Sequence, residues 1–70
     1  MENVANKSSF TVRQARLLSG KSQRKIADEM HVNVDTYRRM ELYPQSATIE
    51  RAKQFSEIVG IPLDQIFFAQ

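Results

Sequence analysis

The sequence predicts an all-α domain of about five short helices, and three observations carry that prediction. Apolar residues recur at helical spacing from residue 12 onward. No stretch alternates apolar and polar residues with the period of two that marks a half-buried strand. The periodic runs are also punctuated where helices should begin and end, with Thr11, Ser22, Asn33 and Thr48 as side-chain caps and Gly20, Pro44 and Gly60 as stops.

Residues 1–10 are polar, small and aperiodic and are expected to form a flexible N-terminal tail, leaving residues 11–70 as the folded domain. Thr11 followed by Gln14 is a capping-box pair, with Phe10 as the apolar residue before it, so a first helix should run from about 12 to 19. Gly20 supplies the left-handed residue at which helices commonly stop. Ser22 caps a second run at about 23–30, whose Ile26, Ala27 and Met30 lie on one side. Asn33 caps a third at about 34–42, and Pro44 ends it because the residue before a proline is disfavoured in the helical region. Thr48 opens a fourth helix with the stripe Ile49, Ala52, Phe55 and Val59, ending at Gly60. After Ile61-Pro62-Leu63 a last short helix is expected through Ile66 and Phe67.

Seventy residues are too few to divide apolar surface between two cores, so the chain is one domain. It has no cysteine, which removes disulfides and thiolate metal sites and makes a reducing cytoplasm the natural compartment. No apolar run approaches the roughly 20 residues of a membrane span, and MENVANKSS lacks the apolar centre of a secretory signal. No cofactor, metal or small-molecule substrate is expected. An enzyme is the weakest class, because Glu29 and His31 have no nucleophile, phosphate loop or ligand cluster to work with.

Charge is distributed unevenly. Residues 11–40 hold seven cations against three carboxylates, a local balance of +4, while the remainder holds three against five, a balance of −2. A chain polarised in this way offers one face to a polyanion.

The link between the second and third runs is only His31-Val32-Asn33, too short for the two helices to lie side by side, so they must cross steeply as in a helix-turn-helix. Close crossing needs a small residue at the contact, and Ala27 sits there. The turn needs positive φ, and His31 occupies that place, histidine being among the non-glycine residues enriched in the left-handed region. On a wheel at about 100° per residue, Tyr37, Met40 and Glu41 face inward. Asp35, Arg38, Arg39 and Leu42 face outward. Glu41 on the inward face needs a cation, since an isolated buried carboxylate is very costly. Arg16, inside the apolar periodicity of the first helix, is the expected partner.

The runs TVRQARLLSGKSQRKIADEMHVNVDTYRRMEL and TIERAKQFSEIVGIPLDQIFF resemble the phage repressor and Cro-type helix-turn-helix domains of the xenobiotic-response-element family, which are lambda-repressor-like. The resemblance spans about residues 11–68 and is carried by Arg16, Ser22, Gln23, Ile26, Ala27, Val32, Thr36, Glu41 and the Val-Gly-Ile-Pro-Leu-Asp-Gln-Ile-Phe ending. His31 stands where the family usually has glycine, Tyr37 where it has a β-branched residue, and Leu42-Tyr43-Pro44 replaces a glycine-bearing exit.

The resemblance implies a compact five-helix domain that binds double-stranded DNA, usually as a homodimer on a palindromic operator, and regulates transcription, most often as a repressor. It implies a phosphate contact at Gln23, base contacts from Val34, Asp35, Arg38 and Arg39, and an Arg16 to Glu41 pair. Around these, Lys21, Ser22 and Arg24 are placed to serve phosphates at the start of the second helix, with Asn33 and Thr36 on the far side of the groove. Arg39 is the first choice for bidentate contact with guanine, and Arg38 the second, with a phosphate as its alternative. Asp35 is spaced to orient Arg39 as an i,i+4 pair or to accept from a cytosine amino group, and Val34 to touch a thymine methyl. Two copies about one helical turn apart, roughly 34 Å, would raise specificity. Phe68 is the expected dimer contact, with Ile66 and Phe67 in the core. The competing reading is a protein-interaction module, such as an antitoxin or adaptor, that uses the last two helices.

Overall fold

A computed structural model describes residues 9–68. Four α-helices carry the fold among them: α1 (Val12–Ser19), α2 (Gln23–Met30), α3 (Val34–Leu42) and α4 (Ile49–Val59). The predicted caps form at every helix start. Thr11 Oγ1 accepts from the Gln14 amide at 3.0 Å while Gln14 Oε1 accepts from the Thr11 amide at 3.0 Å, which completes the capping box. Ser22, Asn33 and Thr48 each accept from the amide three residues on, at 3.0, 2.9 and 3.1 Å. These bonds satisfy amides that have no partner within a helix's first turn.

Two elements differ from the prediction. The fifth helix does not form: Leu63–Gln65 makes a single 3-10 turn, and Ile66–Phe67 is extended as strand β2. Residues Phe10–Thr11 form strand β1, which pairs with β2 in parallel, Phe10 opposite Ile66. Ser9 donates its amide to the Gln65 carbonyl at 2.8 Å, so Ser9 and Phe10 belong to the domain, and residues 1–8 of the expected tail lie outside the described residues. The physical reason is one of competition. A β-branched Ile66 beside an aromatic residue favours extended backbone, and ladder bonds to the distant Phe10 segment satisfy groups that one further helical turn would have had to satisfy alone. A second 3-10 turn, Pro44–Ser46, follows α3 directly, with Tyr43 non-helical before the proline.

The core is built from Val12, Ala15, Ile26, Ala27, Met30, Tyr37, Met40, Phe55, Val59 and Ile66. Tyr37 and Phe55 are its largest fully buried side chains and stack with centroids 6.0 Å apart. Ala27 is 1% exposed, and α2 packs on α3, which its small side chain permits. Among the described residues no helix is long and apolar enough to cross a membrane.

The turn between α2 and α3 closes on His31, at φ 60° and ψ 40°. Its amide donates to Asp28 O at 3.1 Å, and the Val32 amide reaches back to Ala27 O at 3.0 Å. Left-handed backbone costs a residue with a Cβ about 1–2 kcal/mol, whereas glycine loses about 0.5–1 kcal/mol through unfolded-chain freedom. His31→Gly is therefore expected to stabilise the domain by about 0.5–1 kcal/mol, read as a higher urea midpoint with unchanged slope. A lower midpoint would show that the imidazole does more than occupy the turn.

Candidate nucleic-acid interface

The outer face of α3 follows from its spacing. Tyr37 and Met40 are buried, while Asp35, Arg38, Arg39 and Leu42 are exposed. Val34 is half-buried against the core, which leaves part of its side chain outward. Arg39 makes no ion pair or side-chain hydrogen bond among the described residues. Arg38 is held instead: its Nε donates to Gln23 Oε1 at 3.2 Å and its Nη1 to Asp35 Oδ1 at 3.1 Å. Asp35 thus pairs with the residue three positions on, not with Arg39 four positions on as expected from spacing, because Gln23 draws the Arg38 guanidinium to that side of the helix.

Behind this face lies a polar cluster centred on Glu41. The Glu41 carboxylate accepts from Arg16 Nε at 2.5 Å, Tyr37 Oη at 2.7 Å and Gln23 Nε2 at 2.9 Å. Side-chain exposure is 11% for Arg16 and 7% for Glu41. Arg16 also donates from Nη1 to Lys21 O at 3.1 Å, so one guanidinium ties α1, the loop before α2 and the end of α3 together. Burial by itself pushes the Glu41 carboxyl upward. The hydrogen bonds from Arg16, Tyr37 and Gln23, with the Arg16 charge, outweigh it and hold the group below the ordinary carboxylate value. Burial, then the bond to Glu41 and its charge, push the Tyr37 phenol above its usual value, so it stays a neutral donor.

At the start of α2, Ser22 is exposed and occupied in capping, and Arg24 is exposed with no ion pair among the described residues. Gln23 bridges two neighbours, giving Nε2 to Glu41 and accepting Arg38 on Oε1. Across the turn, Asn33 is exposed and Thr36 half-buried, with Thr36 Oγ1 donating to Asn33 Oδ1 at 3.1 Å.

Two side chains lie elsewhere than expected. Lys21 is turned to the other side, its Nζ 2.9 Å from Glu29 Oε1 and 3.2 Å from Ile58 O, where it links the α1–α2 loop to the end of α4. Those contacts engage its ammonium within the fold. Phe68 is half-buried with its ring edge-on to Phe55, centroids 6.2 Å apart, and is largely committed to its own core. Two further side chains belong to this region and carry little signal in the sequence. Tyr37 was visible only as an oversized core residue, although its spacing four before Glu41 places a hydroxyl within reach of that carboxylate. Arg13 gave no signal beyond its charge. It stands on α1 beside Gln23, Arg38, Glu41 and Leu42 around one shallow cleft.

Two short helices joined by a three-residue turn, the second with an exposed arginine face and a buried ion-pair anchor behind it, define a helix-turn-helix domain. The helix-turn-helix family model matches residues 12–66, and the chain belongs to that family, the lambda repressor/Cro-like helix-turn-helix domains. It is a family of DNA-binding regulators. No curated protein and no solved structure matches the chain.

Proposed function

We propose that this chain is a sequence-specific double-stranded DNA-binding regulator of transcription, acting as a repressor in the cytoplasm and working as a homodimer on a palindromic operator. Residues 34–42 lie in the major groove. What supports the reading is the pairing of an exposed Arg39, its side chain unpartnered among the described residues, with a rigid support: α3 is anchored through Glu41 to α1 and α2, so the guanidinium is presented from a fixed platform. Arg39 reads guanine, with Val34 and Asp35 bordering the same bases. Ser22, Gln23 and Arg24 serve one backbone strand at the start of α2, and Asn33 and Thr36 the other.

For pairing, the exposed Tyr43 and Ile49, at 56% and 75%, offer more free apolar surface than Phe68 does. An antitoxin or adaptor built on the same fold would bind a protein in place of DNA. Fluorescence anisotropy with labelled random duplex in dilute buffer separates the two. A DNA-binding chain shows weak association that falls steeply as salt rises, because bound cations displace condensed counterions. Absence of binding to every duplex at low salt would leave the interaction module as the better reading.

A further inference from the structure

We propose that the cleft between α1 and α3, walled by Arg13 and Arg38, seats a sugar-phosphate unit of the DNA backbone, so that Arg38 serves the backbone and not a base. This rests on the DNA-binding reading above and adds Arg13, a residue outside the helix-turn-helix, to the contact set.

The cleft has a volume of about 340 Å³ and is lined by Arg13, Gln23, Arg38, Glu41 and Leu42. Its lining joins two guanidinium side chains to an apolar one, Leu42, which is 71% exposed. That combination suits a phosphate with its attached deoxyribose better than a bare anion, which has no use for an apolar edge. The Arg13 side chain is exposed and makes neither an ion pair nor a hydrogen bond among the described residues. Arg38 is drawn into the cleft by its Nε bond to Gln23, which leaves its Nη2 donors without a partner among the described residues.

Two carboxylates stand nearby, and neither defeats the site. Glu41 is charged but already satisfied by Arg16, Tyr37 and Gln23, and its side chain is 7% exposed. Asp35 is 87% exposed at 3.1 Å from Arg38, an ion pair of the solvent-screened kind that a phosphate can displace. Gln23 is then a positioning residue as well as a contact, since its Oε1 aims the Arg38 guanidinium. Arg39 lies one position on, about 100° further round the helix, and stays free for base edges.

The test is the salt dependence of affinity for duplex DNA, measured with the full chain on random duplex and on sequences selected from a library. Arg13→Ala and Arg38→Ala are each expected to reduce the slope of log affinity against log salt by about 0.9. Each should weaken all duplexes by a common factor and leave base preference unchanged. Arg13→Lys should restore the slope. Both side chains are exposed, and thermal melts of the variants verify that folding is intact. An unchanged slope in Arg13→Ala, or a changed base preference in Arg38→Ala, overturns the cleft while wild-type binding stands. A wild-type chain that binds no duplex overturns the DNA-binding reading itself, and the cleft with it.

Discussion

Replacing Arg16 with methionine is expected to cost about 3 kcal/mol, a large share of the roughly 5–15 kcal/mol that holds a domain together. Methionine keeps much of the unbranched packing volume but removes the charge and the donors, leaving the Glu41 carboxylate 7% exposed with only Tyr37 and Gln23 to satisfy it. Breaking one partner of a buried pair typically costs about 3–5 kcal/mol, and the two surviving donors place this case at the lower end. Urea unfolding at neutral pH measures it. A loss below about 1 kcal/mol would mean that water reaches the pair and screens it.

The same cluster sets an acid dependence. Glu41 has a folded-state pKa below its unfolded value, so the stability it contributes is complete above the unfolded carboxylate value of about 4.3 and is lost as pH falls below that toward the folded pKa. The wild-type domain should lose stability across that acid window. Arg16→Met should flatten or reverse the dependence, because burial, which raises the carboxyl pKa, then has less opposing it.

Arg39→Ala is expected to lower discrimination at one base pair of each half-site by about 1–3 kcal/mol, or about 5- to 150-fold, while the fold is unaffected. The guanidinium is exposed and bonded to nothing else among the described residues, so its loss removes readout without removing structure. Selection of bound duplex from a randomised library, compared between wild type and variant, reads the effect as one position whose preference disappears. If instead all sequences weaken equally and the salt slope drops, Arg39 holds a phosphate and the base reading of α3 must be reassigned.

How far the site could be read in advance depended on the range of the interactions concerned. Thr11, Ser22, Asn33 and Thr48 each bond an amide three residues away, so the helix starts are local chemistry. The buried Arg16 to Glu41 contact spans 25 residues yet was legible, because a carboxylate on an inward helix face demands a partner. Exposed side chains carry no such demand. Lys21 had phosphates as one use and Glu29 with the Ile58 carbonyl as another, and only the approach of α4 decided between them. Arg38 likewise turned toward Gln23 because α2 brings an acceptor within 3.2 Å.

By itself, then, the amino-acid order determined the four principal helices, their caps, the left-handed corner at His31 and the inward placement of Tyr37, Met40 and Glu41. These follow from bonds within one turn and from the burial cost of apolar and charged groups. Tertiary structure decided that Ile66 and Phe67 pair with the Phe10 segment, that Phe68 rests on Phe55, and that Arg13 and Arg38 line one cleft. Each of those outcomes depends on segments far apart in the chain supplying a backbone edge, a ring or an acceptor, and no local propensity specifies which distant group arrives.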